Sequence, residues 1–334
     1  MEERIAREQI CQTGRRLLSA GLVARTWGNV SCRLDGESFL ITPSGLDYNS
    51  TGEEDIVRVQ MGTLDWQGRR KPSSEKGIHG AAYEIFPEVG FVIHTHQTCA
   101  TALGLAGYDC MDLSAEERER LGGIARASYG LPGQKKLKNA VRAAMETGAR
   151  TVLMVDHGAL FCGKDRDDAI AMALLMEEVC RRNLRAAGEA AAAPDAEASA
   201  RLMDGLSDMR PRAALTQTEA VTAWSRLGLP LRAQLDDMAQ MLGREVACVK
   251  ADAKAVRRAL EKRDAVLVEG LGAVVRTEDP GDEQALTLLL EKAAVCALHT
   301  RALGAAARLP ALDVALMRQV YKNKYSKQKG QSHG

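Results

Sequence analysis

The sequence predicts an α/β protein built as two domains, and three observations point there. The chain has 334 residues, enough for about two domains that each bury a core of their own. Short strand-forming runs bounded by Gly, Pro, Ser and Asn alternate with longer stretches of helical period. A low-complexity, alanine-rich stretch, GEAAAAPDAEASA, then interrupts the pattern and reads as a linker over 187–199, although alanine-rich sequence can also be helical. The expected division is a first domain over 1–186 and a second over 200–334 that ends in a basic tail, YKNKYSKQKGQSHG, read as a solvated, mobile end.

The elements follow in order. Residues 3–20 make an amphipathic helix that stops near Gly21. NVSCRL, SFLITPSG and IVRVQM are strand signals separated by turns. PSSEKGIHGAAYEIFP opens a helix, with Ser73 or Ser74 as cap, Glu75 in the first turn and Pro87 at the end. FVIHTH is the next strand, and residues 98–106 and 114–121 are short helices. KKLKNAVRAAMETG is a helix, TVLMVD a strand, and DRDDAIAMALLMEEVCRRNLRAAG a long helix.

The second domain echoes the first. AVRAAME (140–146) matches AVRRALE (255–261), VLMVDHGAL (152–160) matches VLVEGLGAV (266–274), and AIAMALLMEE (169–178) matches ALTLLLEKAA (285–294). The order helix, strand, turn, helix is kept at offsets of 114 to 116 residues, which predicts a degenerate second copy. Leu271 replaces His157 there, so the copy has lost its chemistry.

Composition bounds the partners. Apolar residues are 46% of the chain and the formal net charge is +1, which gives no reason to expect nucleic acid or a membrane surface. Cys11, Cys32, Cys99, Cys110, Cys162, Cys180, Cys248 and Cys296 form no CxxC pair and fall mostly in apolar or helical segments. Reduced thiols and a cytoplasmic location are expected, with no export signal and no run of roughly 18 apolar residues to span a membrane.

The chemistry centres on FVIHTHQ. Side chains alternate along a strand, so His94 and His96 share a face and Thr95 takes the other. Two imidazoles side by side chelate a divalent cation. An isolated HxH is more often two polar residues where a strand meets solvent, so a third ligand decides. His157, just after a second apolar strand and before Gly158, supplies one. Three imidazoles suit an open catalytic zinc site with one position left for water or substrate. Alone, His157 is as readily a satisfied loop histidine. Glu75 near such a metal can serve as a general base, although a glutamate early in a helix is by default a dipole partner. WGNVS, TPSGL and PSSE read as anion-binding turns, with Asn29, Ser44, Ser73 and Ser74 offering side-chain hydrogen bonds and a helix start offering free N–H groups. Each is ordinary turn chemistry by itself.

Taken together and in this order, TWGNVS, ITPSGLDY, KPSSE, HTH and DHG resemble the class II aldolase/adducin family, over roughly residues 5–185. The resemblance implies an α/β/α sandwich around a largely antiparallel sheet, followed here by a smaller degenerate α/β repeat. It implies a homo-oligomer, in this family usually a cyclic tetramer, with active sites shared between subunits. By the same resemblance His94, His96 and His157 would bind Zn2+, with Mn2+, Co2+ or Fe2+ also suited to the donors. Glu75 would be the acid/base. Gly28, Asn29, Ser44, Gly45, Ser73 and Ser74 would hold the phosphate of a small phosphorylated sugar. Tyr129, in IARASYG, would give a proton to the aldehyde oxygen, although its flanks differ from the family pattern and a tyrosine there can simply cover a loop.

The implied activity is retro-aldol cleavage of a ketose 1-phosphate to dihydroxyacetone phosphate and an aldehyde. TWGNVS, PSGLDY and HTHQTCAT also resemble the pentulose-phosphate 4-epimerases, a branch that usually has aspartate where this chain has Glu75. A methylthioribulose-phosphate dehydratase is a further sibling. An adducin-like interaction protein without catalysis is the alternative of another class, which an intact histidine set with Glu75 argues against.

Overall fold

The computed structural model describes residues 2–106, 111–184, 193–278, 280–305 and 309–331. It divides into two compact units, Met1–Leu184 and Arg185–Gly334.

The first unit runs α1 (Glu3–Ser19), β1 (Asn29–Arg33), β2 (Ser38–Ile41), β3 (Val57–Gln60), β4 (Trp66–Gln67), α2 (Lys76–Ile85), β5 (Phe91–Thr95), α3 (Thr98–Ala106), α4 (Ala115–Arg120), β6 (Ile124–Ala127), α5 (Lys135–Met145), β7 (Thr151–Met154), β8 (Gly158–Gly163) and α6 (Arg166–Asn183). Its eight strands form one sheet in the order β4-β3-β2-β1-β5-β8-β7-β6. Only β6 and β7 pair in parallel; the other neighbours are antiparallel.

Helices cover both faces. Phe91 and Ile93 of β5 join a core with Ile10 of α1, Leu103 of α3 and Met176 of α6. Val92 points the other way, into a core with Ile78 of α2 and Val141 of α5. Period-two alternation then carries His94 to the α2 face. The largely antiparallel sandwich that the motifs imply is the fold found.

Strands β5 and β8 lie close at their ends. A Cβ placed on Gly158 would meet the Thr95 carbonyl oxygen at 2.1 Å. Gly158→Ala should therefore destabilise the first unit by roughly 1–3 kcal/mol, the usual scale for forced overpacking. Urea unfolding followed by circular dichroism checks this; an unchanged midpoint would show that β8 can shift at no cost.

The second unit runs α7 (Ala196–Asp204), β9 (Ala213–Thr216), α8 (Glu219–Ser225), β10 (Leu231–Arg232), α9 (Asp236–Met241), β11 (Glu245–Val246), β12 (Cys248–Val249), α10 (Ala253–Leu260), β13 (Ala265–Val268), β14 (Gly272–Arg276), α11 (Pro280–Ala302) and α12 (Ala311–Gln331). Its main sheet has the order β12-β13-β14-β9, and β10 pairs with β11.

That four-strand sheet has the order and directions of β6-β7-β8-β5. β12 and β13 are parallel, as β6 and β7 are, and the remaining neighbours are antiparallel. Both central hairpins turn through three residues with a positive φ in the middle, at Asp156 (64°) and Gly270 (76°). Both close with the same backbone hydrogen bond, His157 N to Met154 O and Leu271 N to Val268 O. Glu177 of α6 accepts from the N–H groups of Cys99 and Ala100 at the start of α3, and Glu291 of α11 accepts from those of Ala220 and Val221 at the start of α8.

Several expectations are corrected. The helix echo fits an offset of 114, which pairs Glu177 with Glu291, rather than the 116 read from alanine and leucine runs. Residues 196–199, read as the end of the linker, are the first turn of α7, because the Asp195 side chain accepts from Ala198 N and caps an alanine-rich helix. Residues 187–192 of the linker, with 185–186 before it, and Cys110 lie outside the described residues. The basic tail is helical as far as Gln331, as a continuation of α12, in sequence rich in helix-forming Lys and Gln, and residues 332–334 lie outside the described residues. Strands β4, β6 and β8 were missed because they are short or polar, or run straight on from a turn. No helix among the described residues is long and apolar enough to cross a membrane.

Candidate metal centre and active site

The register of the sheet assembles the site. Asn29 on β1 lies directly opposite His94 on β5, so both project toward α2. His96 follows β5, with its ring stacked on Trp27 at 6.3 Å between centroids. His157 sits in the β7–β8 hairpin.

Their nitrogens converge. His94 Nε2 lies 3.0 Å from His96 Nε2 and 3.0 Å from His157 Nε2. Glu75 reaches the same point, with Oε1 3.0 Å from His157 Nε2 and Oε2 3.3 Å from His94 Nε2. His94 Nδ1 lies 3.0 Å from the Ala159 carbonyl oxygen. A carbonyl only accepts, so Nδ1 carries the proton and Nε2 turns a lone pair into the cluster. Burial pushes the His94 imidazole well below the usual histidine range, with His157 and His96 adding to the push and Glu75 opposing it. It is thus held in the neutral form that binds metal.

This donor set fits a divalent cation. A tetrahedral ion with bonds of about 2.0–2.1 Å holds its nitrogens roughly 3.3 Å apart, close to the spacing found. Inward-turned lone pairs and a carboxylate also need a positive centre between them. His94, His96 and His157 can each give one ligand atom, all within 4.8 Å of one another.

Glu75 was expected in the first turn of its helix. It stands one residue before α2, and its side chain caps nothing. Ser73 does the local capping, its Oγ accepting from Glu75 N at 3.2 Å. The Glu75 carboxylate is thereby free to turn away from its own helix and onto the histidines.

The three candidate anion-binding turns lie together. Ser73 N donates to Thr42 O and Ser44 N to Lys71 O, which joins TPSGL to PSSE. Thr42 N donates to Val30 O, which joins both to the strand after Gly28 and Asn29. Gly28 and Gly45 have φ of 76° each. At Gly28 a Cβ would also meet the His94 carbonyl oxygen at 2.6 Å, so the glycine is needed there. The Asn29 amide is taken up by Glu75 and His79. Ser74 lies against Gly133 of the loop after β6. Tyr129 is half-buried in that same loop, with Lys136 Nζ 5.8 Å from its ring centroid.

Sequence reasoning missed the buried line behind Glu75. His79 Nε2 meets Asn29 Oδ1, His79 Nδ1 lies 2.6 Å from Ser31 Oγ, and Ser31 Oγ lies 2.7 Å from Tyr83 OH. Glu75, His79 and Tyr83 are spaced by four residues, a polar stripe on an otherwise apolar helix face that was open to reading. Burial lowers the His79 pKa from 6.5 to about 4, opposed by Glu75. The unfolded chain therefore takes the proton first. Stability from this group is complete above pH 6.5 and falls as pH drops toward 4, by about 3 kcal/mol in all. Urea unfolding between pH 7.5 and 4.5 should show a steeper acid loss for the wild type than for His79→Gln.

Comparison with known proteins agrees with the geometry. Residues 8–184 match the family model of the Class II Aldolase and Adducin N-terminal domain. An L-ribulose-5-phosphate 4-epimerase, UlaF, of Salmonella paratyphi B is 33% identical over 189 residues, covering 52% of this chain and 82% of the epimerase. A crystal structure of YgbL from Klebsiella pneumoniae, described as a candidate aldolase/epimerase/decarboxylase, superposes with a TM-score of 0.50 at 25% identity, covering 55% of this chain and 89% of that one. An L-fuculose 1-phosphate aldolase gives a TM-score of 0.48 at 29% identity, covering 53% and 84%. With its match spanning more than half its length, this chain belongs to the class II aldolase and adducin family.

Proposed function

We propose that the first unit is a zinc enzyme that breaks and remakes the C3–C4 bond of a ketose phosphate, and that its reaction is 4-epimerisation of a pentulose 5-phosphate. The observation that carries this reading is the 33% identity to an L-ribulose-5-phosphate 4-epimerase over 189 residues, 82% of that enzyme.

A zinc ion on His94, His96 and His157 would supply Lewis-acid stabilisation of the negative charge that develops on the sugar oxygens at C2 and C3. Glu75, beside the histidines, is the acid/base: it takes the C4 hydroxyl proton and leaves C3 unprotonated. The turns at Gly28, Ser44–Gly45 and Ser73–Ser74 hold the phosphate through N–H and hydroxyl groups. The C4 hydroxyl loses its proton and the C3–C4 bond opens to an aldehyde and an enediolate. The aldehyde turns over, the bond reforms on its other face and Tyr129 protonates O4; proton exchange with solvent then restores Tyr129 and Glu75. Tyr129 serves a neighbouring subunit's site in a homo-oligomer. At the positions of His94, His96 and His157 the second unit has Leu215, Gln217 and Leu271, so it serves assembly rather than a second centre of this kind.

A second reading is an aldolase, favoured by Glu75 itself, a glutamate where the epimerase branch usually has aspartate. There Glu75 protonates C3 and the two fragments leave. The two readings differ at that one proton. Zinc-loaded protein in deuterium oxide is given L-ribulose 5-phosphate and L-fuculose 1-phosphate. D-xylulose 5-phosphate without deuterium at C3 is expected. Released dihydroxyacetone phosphate carrying deuterium at C3 selects the aldolase. Turnover of neither sugar by metal-loaded protein counts against both.

A further inference from the structure

We propose that His79 is a positioning residue: acting through the Asn29 side chain, it fixes how the Glu75 carboxylate is held against the three histidines. This rests on the reading of Glu75 as the acid/base of the site, and deepens it.

The argument starts at the carboxylate, which can only accept. The Asn29 atom 2.8 Å from Glu75 Oε2 must then be the donating Nδ2. Asn29 Oδ1 consequently faces His79 Nε2, and a carbonyl oxygen only accepts, so Nε2 carries the imidazole proton. His79 Nδ1 is left with its lone pair and accepts from the Ser31 hydroxyl at 2.6 Å. Ser31 Oγ in turn accepts from the Tyr83 hydroxyl at 2.7 Å. One charge at the end of the line sets the direction of four consecutive hydrogen bonds.

The fold builds this line from two periods. Asn29 and Ser31 are two apart on β1 and share its α2 face. Glu75, His79 and Tyr83 are four apart and share the sheet face of α2. His79 and Ser31 are fully buried, and Tyr83, Asn29 and Glu75 nearly so, so no water competes for the amide. Without His79 the Asn29 Oδ1 loses its donor and is left buried and unpaired. The amide would then swing away from Glu75 to pair that oxygen, and the carboxylate would lose the hydrogen bond that holds it against His94 and His157. Other buried polar groups of the unit, such as Glu177 on the N–H groups of α3, hold helices together and do not touch the site.

The test uses the full-length, zinc-loaded protein. Long-range proton–nitrogen NMR on histidine-labelled protein, with His79 assigned by its loss in His79→Gln, should show the Nε2–H tautomer. An Nδ1–H tautomer overturns the proposal whether or not any sugar turns over, which keeps its failure apart from failure of the proposed function. With L-ribulose 5-phosphate at saturation, His79→Leu should lower kcat about 10–100-fold, with KM and bound zinc little changed. His79→Gln should recover most of that loss, because its amide can donate to Asn29 and accept from Ser31. In an Asn29→Ala background the His79→Leu loss should vanish. Equal losses in the Gln and Leu variants, or a loss that persists without Asn29, overturn the proposal. If His79→Leu does not fold, Ser31→Ala replaces it: Asn29 Oδ1 still calls for the Nε2 proton, so the Nε2–H tautomer should persist, and a switch to Nδ1–H overturns the line.

Discussion

His96→Ala should leave the first unit folded while its bound zinc falls to a small fraction of one ion per chain. His96 is half-buried, past the end of β5, whereas His94 and His157 are buried among core residues, so His96 is the ligand whose loss disturbs packing least. With only His94 and His157 left, affinity should drop by more than the roughly 10–100-fold that follows loss of a mere supporting partner. Metal content after gel filtration, together with a circular dichroism melt, measures both halves of the expectation. Full zinc content in the variant would show that the metal is held elsewhere.

Glu75→Gln should keep the zinc and lose the turnover. The amide has the shape of the carboxylate, but it has no charge and cannot take a proton. A positioned acid/base contributes about 10²–10⁴-fold, and kcat should fall by that much. KM should move little, because the anion-binding turns are untouched. The Asn29 amide would face an acceptor or a donor with equal ease, so the hydrogen bond to Oε2 loses its fixed direction. Steady-state kinetics on L-ribulose 5-phosphate with metal analysis of the same sample decides; a kcat within a factor of two of wild type would remove Glu75 from the chemistry.

The centre was largely legible because its parts are local. HTH on a strand and DHG in a hairpin each declare a face or a turn within a few residues. The register of β5 between β1 and β8 then does what no spacing states: it brings residues 29, 94 and 157 together. Glu75 could be placed beside them only through resemblance, since its turn away from α2 depends on Ser73 taking over the cap. The line through His79 stayed hidden for a similar reason. Half of it lies on β1 and half on α2, nearly fifty residues apart, and neither half is satisfied alone. The echo between units was visible in alanine and leucine runs, but their sameness blurs register. Only Glu177 and Glu291, each fastened to the start of a neighbouring helix, set the offset at 114.

That second set of strands gives the chain an internal control. Gly158 and Gly272 both keep the approach of a hairpin strand to a threonine carbonyl, and Asp156 and Gly270 both keep the left-handed turn. Glu177 and Glu291 both keep a helix start in place. What all six have in common is architecture. The positions that part company are His94 from Leu215, His96 from Gln217 and His157 from Leu271. A single polypeptide thus carries two answers to one folding problem, one wired for chemistry and one not. The difference between them is a short recipe: three histidines written into Leu215, Gln217 and Leu271 would ask whether the quiet copy can be made to hold an ion.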